Sequence, residues 1–150
     1  MSFALENLLT FVVDVTQEEQ IREMVEKTVA HFGSLDVQVN NAEYEGLSLP
    51  VDQQTMENVM RVYSVNLFGP LYGMKYAIAQ MKKQGNGAIG NITSQASVTG
   101  AATMSAYDSS KHAAFGLSKC AALEVAELGI HINCIGPGPI DTPMMRKLER

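Results

Sequence analysis

A tyrosine and a lysine four residues apart, Tyr107 and Lys111, are the strongest chemical signal in this 150-residue chain. At that spacing on a helix the two side chains share one face, with Cβ atoms about 5–6 Å apart. An unperturbed phenol titrates near ~10 and is a poor base at neutral pH; bringing it down by about 3 units takes ~4 kcal/mol. A lysine charge about 5 Å away contributes roughly 3 kcal/mol at an effective dielectric of ~20, and under ~1 kcal/mol in open water. The pair therefore works as an acid/base unit only inside a partly dry cleft. On a wet helix surface the same residues would be an ordinary neighbour pair, so their context decides. Ser94 lies thirteen residues before Tyr107, just past a predicted strand. The carboxyl ends of strands are where ligands sit in open parallel sheets.

The elements that must position these residues alternate along the chain. Residues 9–13 (LTFVV) read as a buried strand. Thr16 and Glu19 form a capping-box pattern. The helix that follows carries Ile21, Met24, Val25, Val29 and Phe32 on one face, and Gly33 stops it. Residues 35–39 read as a second strand, followed by a polar loop from Asn40 to about Asp52. A helical pattern covers 56–83, and Pro70 inside it predicts a kink or break. After a Gly85-Asn86-Gly87 turn come a third strand at 88–93 and a small-residue loop at 94–104. A helix at 106–128, closed by Gly129, leads to a fourth strand at 130–135 that Pro137-Gly138-Pro139 ends. Apolar, non-alternating strands separated by helices predict an α/β fold, a parallel sheet with helices on both faces. No repeat, low-complexity tract or linker divides the chain, so 1–150 reads as a single domain.

Gly85-Asn86-Gly87-Ala88-Ile89-Gly90 matches G-x-G-x-x-G by letter. A dinucleotide-binding loop follows a strand and opens a helix, so that phosphate meets the helix N-terminus. This segment does the reverse, and reads as a turn into a strand.

Composition narrows the partners. Hydrophobic residues make up 46% and charged residues 18%, as in a globular protein. The net charge of −5 and the absence of a Lys/Arg block argue against nucleic acid and anionic membrane. Cys120 and Cys134 have no metal-like spacing and read as buried free thiols in a reducing compartment. No metal site is expected. No apolar run approaches the ~18 residues of a membrane span, so the chain reads as soluble and cytoplasmic.

Taken together, Asn91-Ile92-Thr93-Ser94 and Ala106-Tyr107-x-x-Ser110-Lys111 resemble the active-site region of the short-chain dehydrogenase/reductase family. The resemblance runs from about Leu9 to Met144 and includes Asp14-Val15-Thr16, Asn40-Asn41-Ala42, Val65-Asn66 and Pro137-Gly138-x-Ile140-x-Thr142. It implies a Rossmann-like NAD(P)-binding domain and hydride transfer between a nicotinamide cofactor, NAD or NADP, and a small alcohol or ketone. Tyr107 would be the acid/base, Lys111 would lower its pKa and bond the nicotinamide ribose, and Ser94 would polarise the carbonyl. Asn66 would hold a water of a proton relay. Asp14 and Val15 would contact adenine, and Asn41 and Ala42 would lie along the cofactor. Ile140 and Thr142, on the turn carrying Pro137 and Gly138, would bond the carboxamide. Asn40 would tie strands together. The family also implies a homo-oligomer, packed through the helices at 56–83 and 106–128.

The chain also departs from the pattern. The family's first two strands, its glycine-rich phosphate loop and its last strand have no counterpart here, so the domain is expected to be partial, with strand 9–13 lacking both neighbours. Glu43 stands where the family has glycine, and a carboxylate there should repel cofactor phosphates. Asp108, beside Tyr107, replaces a small or polar residue and would serve the helix dipole, with Ser105 as cap. The alternative is therefore an impaired, truncated relative that at most associates with other subunits.

Overall fold

The computed structural model describes residues 7–142; Met144, at the end of the resemblance, lies outside them. The elements are α1 (Glu18–Phe32), β1 (Val37–Asn40), a 3-10 turn (Val51–Gln53), α2 (Met56–Tyr63), a π turn (Ser64–Phe68) and α3 (Gly69–Gln84). β2 (Gly87–Ile92), a 3-10 turn (Gln95–Ser97), α4 (Ser105–Val125), a further 3-10 turn (Ala126–Leu128) and β3 (Ile130–Ile135) complete them. The sheet is parallel in the order β1-β2-β3. Val37 pairs with Ala88 and Asn40 with Asn91, while Gly87 pairs with Ile130 and Ile92 with Ile135.

The helices gather on one face of this sheet. Val25 of α1, Met74, Ala77 and Met81 of α3, and Ala121 and Val125 of α4 form one core with Ile89 and Ile130. Asn40 donates to Asn91 Oδ1 (2.7 Å), and Asn91 donates to Ser118 of α4 (2.8 Å), so polar ties cross from strand to strand to helix. Asn40 is thus the inter-strand tie read from sequence. Glu18 joins α1 to α3 by accepting from Lys75 (2.6 Å) and Tyr76 (2.9 Å). Gln84 brackets the start of β1, bonding both the N–H and the carbonyl of Leu35.

The parallel Rossmann-like sheet is as expected, with one of the two helical layers present among the described residues. The other face, on which Val37, Val39 and Ile135 are 63%, 55% and 53% exposed, carries no helix there. The apolar strands signalled double burial, but a second layer needs crossovers that these elements do not contain.

Four local expectations need correction. Residues 9–13 are extended but form no strand, because no described strand lies beside them to complete a ladder; Val12 is fully exposed. The Thr16–Glu19 capping box does not form. Gln17 is the N-cap, without a side-chain cap bond, and the Thr16 amide and hydroxyl both donate to Asp14 Oδ1. Ser105 is the first residue of α4 rather than its cap, which is Met104. The cysteines are free, but Cys120 is exposed and Cys134 half-buried. Gly33, at φ 86°, ends α1 as read. The break near Pro70 takes the form of the π turn, with Pro70 in the first turn of α3. Proline has no N–H for the carbonyl four residues back, here that of Asn66.

Candidate active site

Four segments meet beyond the carboxyl ends of β1, β2 and β3. α4 brings Tyr107 and Lys111, the β2 end brings Ser94, the loop after β1 brings Asn41 and Glu43, and the segment after β3 brings Pro137, Gly138, Ile140 and Thr142. All of these except Lys111 line one cleft of about 380 Å³, together with Ile92 and Thr93. The Pro137 turn is docked on the Ser94 segment by Gln95 N–H donating to the Pro137 carbonyl (2.9 Å).

Ser94 is oriented by its own backbone. It caps the turn Gln95–Ser97, its Oγ accepting from Ala96 N–H at 3.1 Å while its N–H donates to Ser97 Oγ. A hydroxyl that accepts from the backbone still has its hydrogen to give. Here the hydroxyl sits in the same cleft as the Tyr107 phenol, whose ionised form it favours.

Lys111 lies beneath the cleft, 1% exposed. Its ammonium donates to the Ile92 carbonyl at 3.2 Å and pairs with Glu43 Oε2 at 3.2 Å, 5.5 Å from the centre of the Tyr107 ring. Burial lowers its pKa, against the pull of Glu43. The Tyr107 hydroxyl donates to the same Glu43 oxygen at 3.2 Å. The phenol was expected to shift downward; in this chain its pKa is raised. Burial is the largest cause and the Glu43 charge the second, with the Ser94 hydrogen bond opposing them. Burial and Glu43 together explain the reversal, the carboxylate pairing with the lysine and placing negative charge against the phenol.

Asn66 is buried behind the site. Its Oδ1 accepts from Tyr44 N–H (2.8 Å), and its Nδ2 donates to the Tyr44 carbonyl (2.9 Å) and to Ser110 Oγ (3.0 Å). Ser110 in turn donates to the Tyr107 carbonyl at 2.6 Å. The side chain of Asn66 thus fastens the Glu43–Tyr44 loop to α4. Asp108 accepts from Ala101 N–H (2.7 Å), anchoring the loop before α4. Asp14, Val15 and Ala42 stand apart from the cleft. Val15 and Ala42, with Val13, Ile21, Val39 and Asn41, line an apolar groove of about 190 Å³ beside β1. Asn41 borders both spaces.

Sequence reasoning saw Glu43 only as an obstacle to phosphates, and missed that it pairs with both acid/base residues. It also gave no role to Ser110, quoted only as part of the motif, or to the Tyr44 backbone. Their partners lie 44 and 22 residues away from them in the chain, so no local pattern signals these bonds.

The short chain dehydrogenase family profile matches residues 4–150, and the chain belongs to that family. It is 41% identical over 136 residues to a diacetyl reductase ((S)-acetoin forming) of Staphylococcus aureus, covering 90% of this chain and 52% of that protein. It is 37% identical over 138 residues to a levodione reductase of Leifsonia aquatica, covering 92% of this chain and 52% of that protein. Among solved structures, ElxO with NADP bound superposes with a TM-score of 0.89 at 40% identity, over 95% of this chain and 57% of that one. An NAD+-bound xylitol dehydrogenase superposes at 0.88 and 36% identity, over 93% of this chain and 54% of that one. The chain spans about half the length of the relatives it matches. No helix among the described residues is long and apolar enough to cross a membrane.

Proposed function

We propose that this chain carries the catalytic half of an NAD(P)-dependent oxidoreductase that interconverts a small alcohol and its ketone. The observation that carries this reading is the convergence of Ser94 and Tyr107, over the buried ammonium of Lys111, in one cleft at the strand ends. Relatives named as diacetyl and levodione reductases, and neighbours holding NADP or NAD+, support the substrate and cofactor classes.

The residues present suit the nicotinamide–ribose end of such a cofactor. The cleft has a polar wall at Ser94 and Tyr107 and a second wall at Pro137, Gly138, Ile140 and Thr142. In this reading the Ile140 backbone and the Thr142 hydroxyl hold the carboxamide, and Lys111 bonds the ribose. Asn41 and Ala42 would flank the cofactor, and Val15 and Asp14 would contact its adenine. Bound there, the nicotinamide supplies or accepts the hydride. Ser94 donates its hydrogen to the substrate oxygen and strengthens that bond as negative charge builds there. Tyr107 exchanges the proton at the same oxygen. Asn66 would hold a water of the proton relay by an atom other than its amide nitrogen, whose two hydrogens are already donated.

A second reading, an impaired relative that associates with other subunits, is favoured by the Glu43 carboxylate inside the cleft. Leu123 of α4 and Met56 of α2, both well exposed, are the surfaces such a homo-oligomer would cover. One experiment separates the two readings. Titration with NADH and NADPH, followed by nicotinamide fluorescence, should saturate at micromolar concentration. Tyr107→Phe should retain that binding and the circular dichroism spectrum while losing roughly 10²–10⁴-fold in turnover. A folded chain that binds neither nucleotide sinks the oxidoreductase reading, and an unchanged rate in Tyr107→Phe sinks the mechanism.

A further inference from the structure

One carboxylate oxygen, Glu43 Oε2, lies 3.2 Å from the Tyr107 hydroxyl and 3.2 Å from the Lys111 ammonium. Three features of this contact point the same way. The phenol is the donor, so its hydrogen is directed at Glu43. Lys111, whose charge would otherwise favour a phenolate, is engaged by the same oxygen. Glu43 is also held in place, because the loop that carries it is pinned at Tyr44 by the two backbone bonds to Asn66. A tyrosine so placed is ill suited to store negative charge and well suited to pass a proton on.

Building on the oxidoreductase reading, we propose that Glu43 is the proton partner of Tyr107. As Tyr107 takes a proton from an alcohol substrate, Glu43 accepts the phenol proton, and it returns that proton when a ketone is reduced. The step balances. In oxidation the substrate O–H bond breaks and a new Tyr107 O–H bond forms, while the original phenol O–H bond breaks and a Glu43 O–H bond forms. The carbinol hydride leaves with its electron pair to the oxidised nicotinamide, and the C=O bond forms. Glu43 acts through Tyr107 and so positions and receives the proton without touching substrate. The charged groups around the phenol are Glu43 from the loop after β1, Lys111 and Asp108 from α4, and Glu45, which lines the adjoining groove. Glu43 is the carboxylate bonded to the hydroxyl; Asp108 is committed to Ala101 N–H.

The test uses the full chain labelled at tyrosine Cζ, with the Tyr107 resonance assigned by its loss in Tyr107→Phe. In the wild type this resonance should respond to protonation of a carboxylate. In Glu43→Gln that response should vanish, and the phenol should ionise at least tenfold more readily. Glu43→Gly, which removes the carboxylate with the whole side chain, repeats the measurement if the glutamine variant does not fold. A merely structural Glu43 would alter thermal stability and leave the Tyr107 titration where it was. Titrations that superimpose on the wild type in both variants overturn the proposal. With NAD+ and a secondary alcohol, oxidation at neutral pH should fall at least tenfold in Glu43→Gln. A rise would mean that Glu43 only suppresses the phenolate, and would overturn the relay. A chain that binds no NADH fails on the oxidoreductase reading instead; the tyrosine titration needs no cofactor and still decides whether Glu43 holds the phenol proton.

Discussion

Ser94, Tyr107, Lys111 and Glu43 divide the work of the site by what each atom is already bonded to. Ser94 Oγ accepts from the backbone, so its hydrogen is the part left to act. Ser94→Ala should lower turnover by about 10²–10³-fold, in the range seen for a lost donor to a developing oxyanion, with nucleotide binding by fluorescence unchanged. Tyr107 also makes a stability prediction. Its folded pKa is raised, chiefly by burial. The unfolded chain therefore ionises first, and the contribution of Tyr107 to stability is complete below the ordinary phenol range and lost as pH rises through it. Urea unfolding above about pH 10, the ordinary tyrosine pKa, should show a fall in stability that Tyr107→Phe reduces. Spacing singled out Tyr107 and Lys111, the predicted strand end singled out Ser94, and the family resemblance supplied their expected roles. The direction of the tyrosine shift was not legible, because it is set by burial first and then by Glu43, 64 residues away in the chain.

At the scale of elements, the π turn and the strand ends place these groups. Pro70 interrupts the long helix, and Asn66, inside the interruption, spans the gap between the Tyr44 loop and Ser110 on α4. Asn66→Ala would leave the half-buried Tyr44 amide and carbonyl without these partners. It should destabilise the fold by about 2–4 kcal/mol in urea denaturation, given ~1–3 kcal/mol for each buried group left unsatisfied. It should also loosen Glu43. Periodicity and glycine placement located α1, the end of α3, the start of α4 and β3 to within a residue or two, while 126–128, read as the end of α4, is a 3-10 turn. The capping box at Thr16 failed because Asp14, two residues back, captured both donors of that threonine.

For the whole molecule, the exposed sheet face has a consequence that can be measured. Val37 and Val39 stand beside Ala88, Gly90 and Ile135 on the face opposite the helices, and β1 is the edge of the described sheet. Apolar sheet faces and unpaired edges invite association with other chains. Replacing Val37 and Val39 together by lysine should lower concentration-dependent association in sedimentation velocity while leaving the helical signal intact, because neither side chain enters the core.

The sequence by itself determined the α/β alternation and the parallel sheet, and it displayed the motifs whose resemblance pointed to the family. These depend on local periodicity and on spacing within single elements, which a chain displays without folding. The tertiary structure decided the rest. It showed that the helices share one face and that residues 9–13 have no ladder to join. It brought Glu43 between Tyr107 and Lys111 and pushed the phenol upward. A strand exists only if another backbone supplies its hydrogen bonds, and a pKa depends on the charges and solvent within a few ångströms; both are properties of neighbours in space.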